Sequence, residues 1–157
     1  MIAFEVQQIK VPKARQFSQS FFSRLAKAVD EEEGRTLEGV VSVAFLSTPR
    51  MRYLTKTHKK ENRTADILTF PFLPPRAWKK GETVGEIVLC STAISKQAKE
   101  QKQTYQAEAA FLLSHGLRHL LGDTHATAHA LVKMIKKQQA LLKRLGITYV
   151  YDQTRTS

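Results

Sequence analysis

The residues best able to do chemistry are concentrated in one segment, His115-Gly-Leu-Arg-His119-Leu-Leu-Gly122-Asp-Thr-His125. His115 and His119 are four positions apart, so on a helix both imidazoles leave the same face, about 6 Å apart along the axis. Two ring nitrogens so placed can meet at one tetrahedral metal ion, with bonds of about 2.0–2.1 Å. Gly122 suits the left-handed residue that ends a helix and reverses the chain, and the reversal can return His125 to the other two. Three neutral nitrogens with one open position describe a catalytic rather than a structural zinc site. The same donors also suit nickel or copper. A rival grouping stays open at this level, because His125 and His129 are themselves four apart.

The segment excludes one zinc chemistry. Peptidases of the H-E-x-x-H type place a general-base glutamate directly after the first histidine, and here that position is Gly116. The nearest upstream carboxylate, Glu108, lies two turns earlier on the same helical face and is expected as a dipole-favoured acid in the first turn.

Charge suggests what the site works on. The 157 residues carry 25 Lys+Arg and 14 Asp+Glu, a net of +11. Residues 51–157 hold 18 of the basic and 8 of the acidic side chains. A field of that sign attracts polyanions: RNA, DNA or anionic lipid headgroups. The apolar fraction of 42% is that of a globular chain, and no run approaches a membrane span. The only cysteine, Cys90, has no intramolecular partner, which suits a reducing compartment. The start, Met1-Ile-Ala-Phe-Glu5, lacks the features of a signal peptide. A cytoplasmic protein with no membrane partner is expected.

The elements that must position these residues follow from periodicity. Strands are expected at 2–8, 40–46, 66–72 and 83–90. Helices are expected at 15–30, 48–59, 91–102, 104–121 and 126–145, with Gly146 as the last stop and a short tail beyond it. The cluster Asp30-Glu-Glu-Glu33 before Gly34 reads as a loop. Pro71 cannot donate to a ladder, so its strand belongs at an edge or ends there. The order βαβαββααα predicts one α+β domain over 1–157, a small four-stranded mixed sheet packed with helices.

The His115–His125 run resembles the H-G-x-L-H-L-x-G-x-D-H signature of the bacterial YbeY-type endoribonucleases, which are rRNA maturation factors. Asp66-Ile-Leu-Thr-Phe-Pro-Phe72 is similar to that family's T-D-V-L-S-F-P-F strand, and Gly85-Glu-Ile-Val-Leu-Cys90 to its G-D-I-V-I-S strand. The resemblance covers about residues 40–147. It implies a zincin-like helix, one metal ion (most often zinc) and single-strand-specific RNA cleavage in ribosome assembly, in particular 3′-end maturation of 16S rRNA on the small subunit.

By this match His115, His119 and His125 are the metal ligands. The family's leucine before the second histidine is replaced by Arg118, and the aspartate before the third is displaced to Asp123, a candidate to orient a ligand imidazole from behind. The family's active-site arginine aligns with Lys59, which keeps the charge but loses the planar fork. Arg63 could compensate, so Lys59 and Arg63 are the catalytic candidates. Lys60, Arg118, Lys133, Lys136 and Lys137 are RNA-binding candidates. The lysines on the last helix also fit a solvated face opposite Leu131, Met134, Leu141 and Leu142. Phe72 and Trp78 could stack on bases. Two other readings remain: a non-catalytic ribosome-assembly factor with a structural metal, and a metal hydrolase of another substrate.

Overall fold

The computed structural model describes residues 1–151. Four strands form one sheet: β1 (Ala3–Gln7), β2 (Val40–Leu46), β3 (Ile67–Pro71) and β4 (Thr83–Cys90). Their spatial order is β1-β2-β4-β3. β1, β2 and β4 are parallel, and β3 runs antiparallel to β4 at the edge, where Pro71 closes the strand. Among the described residues five α-helices accompany the sheet: α1 (Gln19–Glu33), α2 (Thr48–Lys59), α3 (Ser91–Glu100), α4 (Tyr105–Leu120) and α5 (Ala128–Arg144). The expected α+β domain with a mixed four-stranded sheet is therefore present in the expected order. Of the proposed 1–157 domain, the tail residues 152–157 lie outside the described residues.

Strand alternation divides the core between the two faces of the sheet. Val41, Val43, Phe45, Ile87 and Leu89 join the large core with α1, α4 and α5. Ala44, Val88 and Cys90 face the other way, against Met51 of α2, Ala65 and Leu68. Side-chain caps set several helix starts: the hydroxyls of Ser18, Thr104 and Thr127 accept the backbone N–H of Phe21, Ala107 and Ala130, each at 3.1 Å.

The acidic cluster corrects the expectation of a loop. Asp30–Glu33 is the last turn of α1, closed by Gly34 at φ 68°. Carboxylates at a helix C-terminus oppose its dipole, and cations brought in by the fold answer them. Arg144 donates to Glu31 at 2.9 Å and Arg118 to Glu32 at 3.1 Å. The helix also starts at Gln19 rather than Arg15, because Ser18 caps it and Phe17 packs into the core ahead of it.

Gly116 fixes how closely α4 lies on the sheet. A Cβ there would sit 3.0 Å from Ile87 Cδ1 and 3.2 Å from Ile67 Cδ1. Gly116→Val should therefore lower stability by about 1–3 kcal/mol through overpacking. The measurement is a reduced urea midpoint at unchanged slope; an unchanged midpoint would mean that the contact with β3 and β4 is loose.

Candidate metal centre

α4 carries His115 and His119 one turn apart, and Gly122 at φ 97° turns the chain so that His125 comes back over them. One nitrogen from each ring lies within 4.8 Å of the others, and among the described residues this is the only such His/Cys/Asp/Glu group. The ring centroids are separated by 4.4, 5.1 and 5.7 Å. The rival pairing with His129 is not formed: His129 stands outside the cluster, exposed on the first turn of α5.

Hydrogen bonds to the far side of two rings set which nitrogen faces inward. His119 Nδ1 is 3.1 Å from the Asp123 carbonyl oxygen, and His115 Nδ1 is 3.4 Å from Gln138 Oε1. An oxygen acceptor in each place requires the proton on Nδ1, which leaves Nε2 of each ring as a lone-pair donor. Those two Nε2 atoms are 2.9 Å apart. Two lone pairs that close repel unless a cation or proton lies between them, so the arrangement fits a metal ion. Burial, the largest influence, together with the nearby His125 and Lys59 holds His119 below its ordinary pKa of 6.5 despite the Asp123 hydrogen bond. A neutral imidazole is the form that binds metal.

The imidazoles stand in the wall of a cleft of about 680 Å³ that also takes in Lys59 and Arg63, the edge strand from Asp66 to Thr69, and Lys96 and Glu100 of α3. A second hollow of about 300 Å³ shares His115, His125, Asp66 and Ile67 with the cleft and is walled by Phe111, Leu131, Ile135 and Tyr151. Charge and apolar surface thus meet at the histidines.

Other candidate residues divide by position. Lys59 and Arg63 line the cleft, and Arg63 is paired with Glu61. Lys60 is exposed just beyond, as the left-handed cap of α2. Lys133 and Lys136 are exposed on α5 and do not line the cleft, while half-buried Lys137 holds its ammonium 3.6 Å from Asp123.

Two readings need correction. Arg118 cannot bind RNA: its side chain is 2% exposed and is surrounded by Glu32, Glu33 and Asp123. Burial opposes its charge, but the hydrogen bond and charge of Asp123, with Glu33 and Glu32, outweigh that and raise its pKa. Trp78 cannot stack on bases, because its indole is packed in the core with Nε1 donating to the Leu73 carbonyl at 3.0 Å; Phe72 does remain exposed. Glu108 does stand in the first turn of α4, as expected, but fully buried and accepting the Tyr149 hydroxyl at 2.7 Å.

It is the backbone carbonyl of Asp123, not its carboxylate, that faces His119 Nδ1; the carboxylate is taken by Arg118 at 2.8 Å. Sequence reasoning missed Gln138, a buried amide that also donates to the Phe111 carbonyl at 3.3 Å. Its signal was present: one polar residue in the inward row of Met134, Gln138 and Leu141.

The sequence is similar throughout to one family. A family profile described as Endoribonuclease YbeY matches residues 1–146. An Endoribonuclease YbeY of Polynucleobacter asymbioticus is 33% identical over 119 residues, 76% of this chain and 74% of that protein. One of Carboxydothermus hydrogenoformans is 33% identical over 116 residues, 74% of this chain and 78% of that protein. A solution structure of a Thermotoga maritima protein shares the fold at TM-score 0.59 and 21% identity, covering 99% of this chain and 100% of that one.

Proposed function

Because the chain belongs to the YbeY endoribonuclease family, we propose that it is a metal-dependent, single-strand-specific endoribonuclease of rRNA processing, acting in 16S rRNA 3′-end maturation. The observation that carries the reading is the convergence of His115, His119 and His125 in the wall of a cleft that also holds Lys59 and Arg63. The three imidazoles would hold one ion, zinc in the first instance. Such an ion supplies Lewis acidity and a water whose pKa falls to about 7.

The chain's own residues do the rest. The Asp123 carbonyl and Gln138 amide keep the protons of His119 and His115 on Nδ1, so both Nε2 atoms stay directed inward. Lys59 lies beside the imidazoles and offsets the negative charge that builds on a phosphodiester as it is attacked. Arg63 can add a second cation by exchanging Glu61 for phosphate. The apolar hollow behind His115 and His125 suits the base next to the scissile bond.

The charge of α2, the helix that ends at the cleft with Lys59, favours a long polyanion. From Thr48 to Lys60 the chain bears Arg50, Arg52, Lys56, Lys59 and Lys60 with no acid, and Tyr53 is 65% exposed among them. This favours α2, more than Lys133, Lys136 and Lys137 of α5, as the support for an RNA backbone. The small ribosomal subunit is the proposed setting and the cytoplasm the proposed compartment; no helix among the described residues is long and apolar enough to cross a membrane.

Metal removal tests the reading against a purely structural metal. The histidines are half-buried or exposed, and both hydrophobic clusters are built without them. Chelation should abolish cleavage of single-stranded RNA while the circular-dichroism spectrum stays native, and added zinc should restore it. Unfolding on chelation would support the assembly-factor reading instead. Full activity without metal would overturn both.

A further inference from the structure

Arg118 does not line the cleft, yet it is tied to a ligand histidine by an unbroken series of contacts. Arg118 Nη1 donates to Glu32 Oε1 at 3.1 Å, and Nη1 and Nη2 both donate to Glu33 Oε2 at 3.3 Å. These bonds lock the guanidinium to the end of α1. Its Nε, pointing the other way, donates to Asp123 Oδ2 at 2.8 Å. Asp123 is held a second time by its own N–H, which donates to the Arg118 carbonyl at 2.9 Å. With side chain and N–H both fixed, the Asp123 carbonyl has little freedom, and it is this oxygen that takes the proton of His119 Nδ1 at 3.1 Å.

We propose that Arg118 is a positioning residue for the metal centre, fixing the ring orientation of His119 through Asp123. A guanidinium suits the task because its planar fork donates in several fixed directions at once. Here the terminal nitrogens are anchored on α1 while Nε directs Asp123. Lysine, with one nitrogen at the end of a flexible stem, cannot hold both sides. The inference rests on the reading of the three imidazoles as metal ligands.

The decisive variant is Asp123→Ala. It cuts the link to Arg118 but leaves that cation paired with Glu32 and Glu33, so the fold should survive with its urea midpoint close to that of the parent. Zinc affinity, measured by competition with a chromophoric chelator, should fall about 10-fold to 100-fold, the range for losing support behind a ligand. In the metal-free protein, nitrogen-15 spectra of the His119 ring should change from one dominant tautomer, protonated on Nδ1, to a mixture. The triple variant Arg118→Leu with Glu32→Gln and Glu33→Gln removes the cation and its α1 partners' charges together. It should show the same loss of affinity, and adding Asp123→Ala to it should cost no more. Parent-like zinc affinity and an unchanged tautomer in Asp123→Ala would overturn the proposal, leaving Arg118 as a tie between α1 and α4. If the parent itself binds no zinc, the metal reading fails, and the tautomer measurement still decides whether Arg118 orients His119.

Discussion

His115→Ala is expected to yield a folded protein that retains far less than one equivalent of metal and cleaves RNA at background rate. Losing a group that merely supports a ligand already weakens metal binding about 10-fold to 100-fold. Losing a ligand outright, one of only three imidazoles, should therefore reduce affinity and activity by more than about 100-fold. The fold should tolerate the change because His115 is only half-buried and both hydrophobic clusters are built without it; among the contacts it gives up is the Gln138 amide oxygen at 3.4 Å. The unpaired amide oxygen should cost about 1–3 kcal/mol. Elemental analysis of the purified variant is the check. A full equivalent of metal would show that the cluster is not the binding site.

Lys59→Ala should reduce cleavage of single-stranded RNA by about 10²-fold to 10³-fold, the usual cost of one preorganised charge-stabilising group. Metal content should not change, since Lys59 lines the cleft but offers no ligand to the cluster. Lys59→Arg should maintain or raise the rate, because a guanidinium can hold two phosphate oxygens at once. Single-turnover rates at saturating RNA separate this effect from binding. A clear loss in Lys59→Arg would mean that position 59 does not face the scissile phosphate, and would turn attention to Arg63 on the same cleft or to Lys96 of α3.

The two effects depend on different kinds of information. The His115–His119 pair is local: four residues make slightly more than one helical turn, so spacing alone places both rings on one face. Gly122 is legible for the same reason, since a backbone that must turn left-handed selects glycine. The position of Lys59 is less local. It depends on α2 ending beside the edge strand β3, and only the resemblance of the surrounding motifs pointed to it.

What the sequence determined by itself is the succession of strands and helices, the edge position of β3, and the His115–His119 pair with the glycine bend that follows it. Each follows from forces acting within a few residues: side-chain period, a missing amide proton, a glycine bend. That His125 joins this pair rather than His129 was decided by the fold. What tertiary structure alone decided is how the polar groups around that centre are paired. Arg118 is a buried ion-pair residue rather than an RNA contact because of partners far away in sequence: Glu32 and Glu33 are 86 and 85 positions from it. The same bonds make a helix end of Asp30–Glu33 and pass through Asp123 to His119. Gln138 behind His115, Tyr149 on Glu108 and Trp78 in the core are cases of the same kind. A buried polar group must find a partner wherever the packed chain places one, and that requirement leaves no period in the sequence.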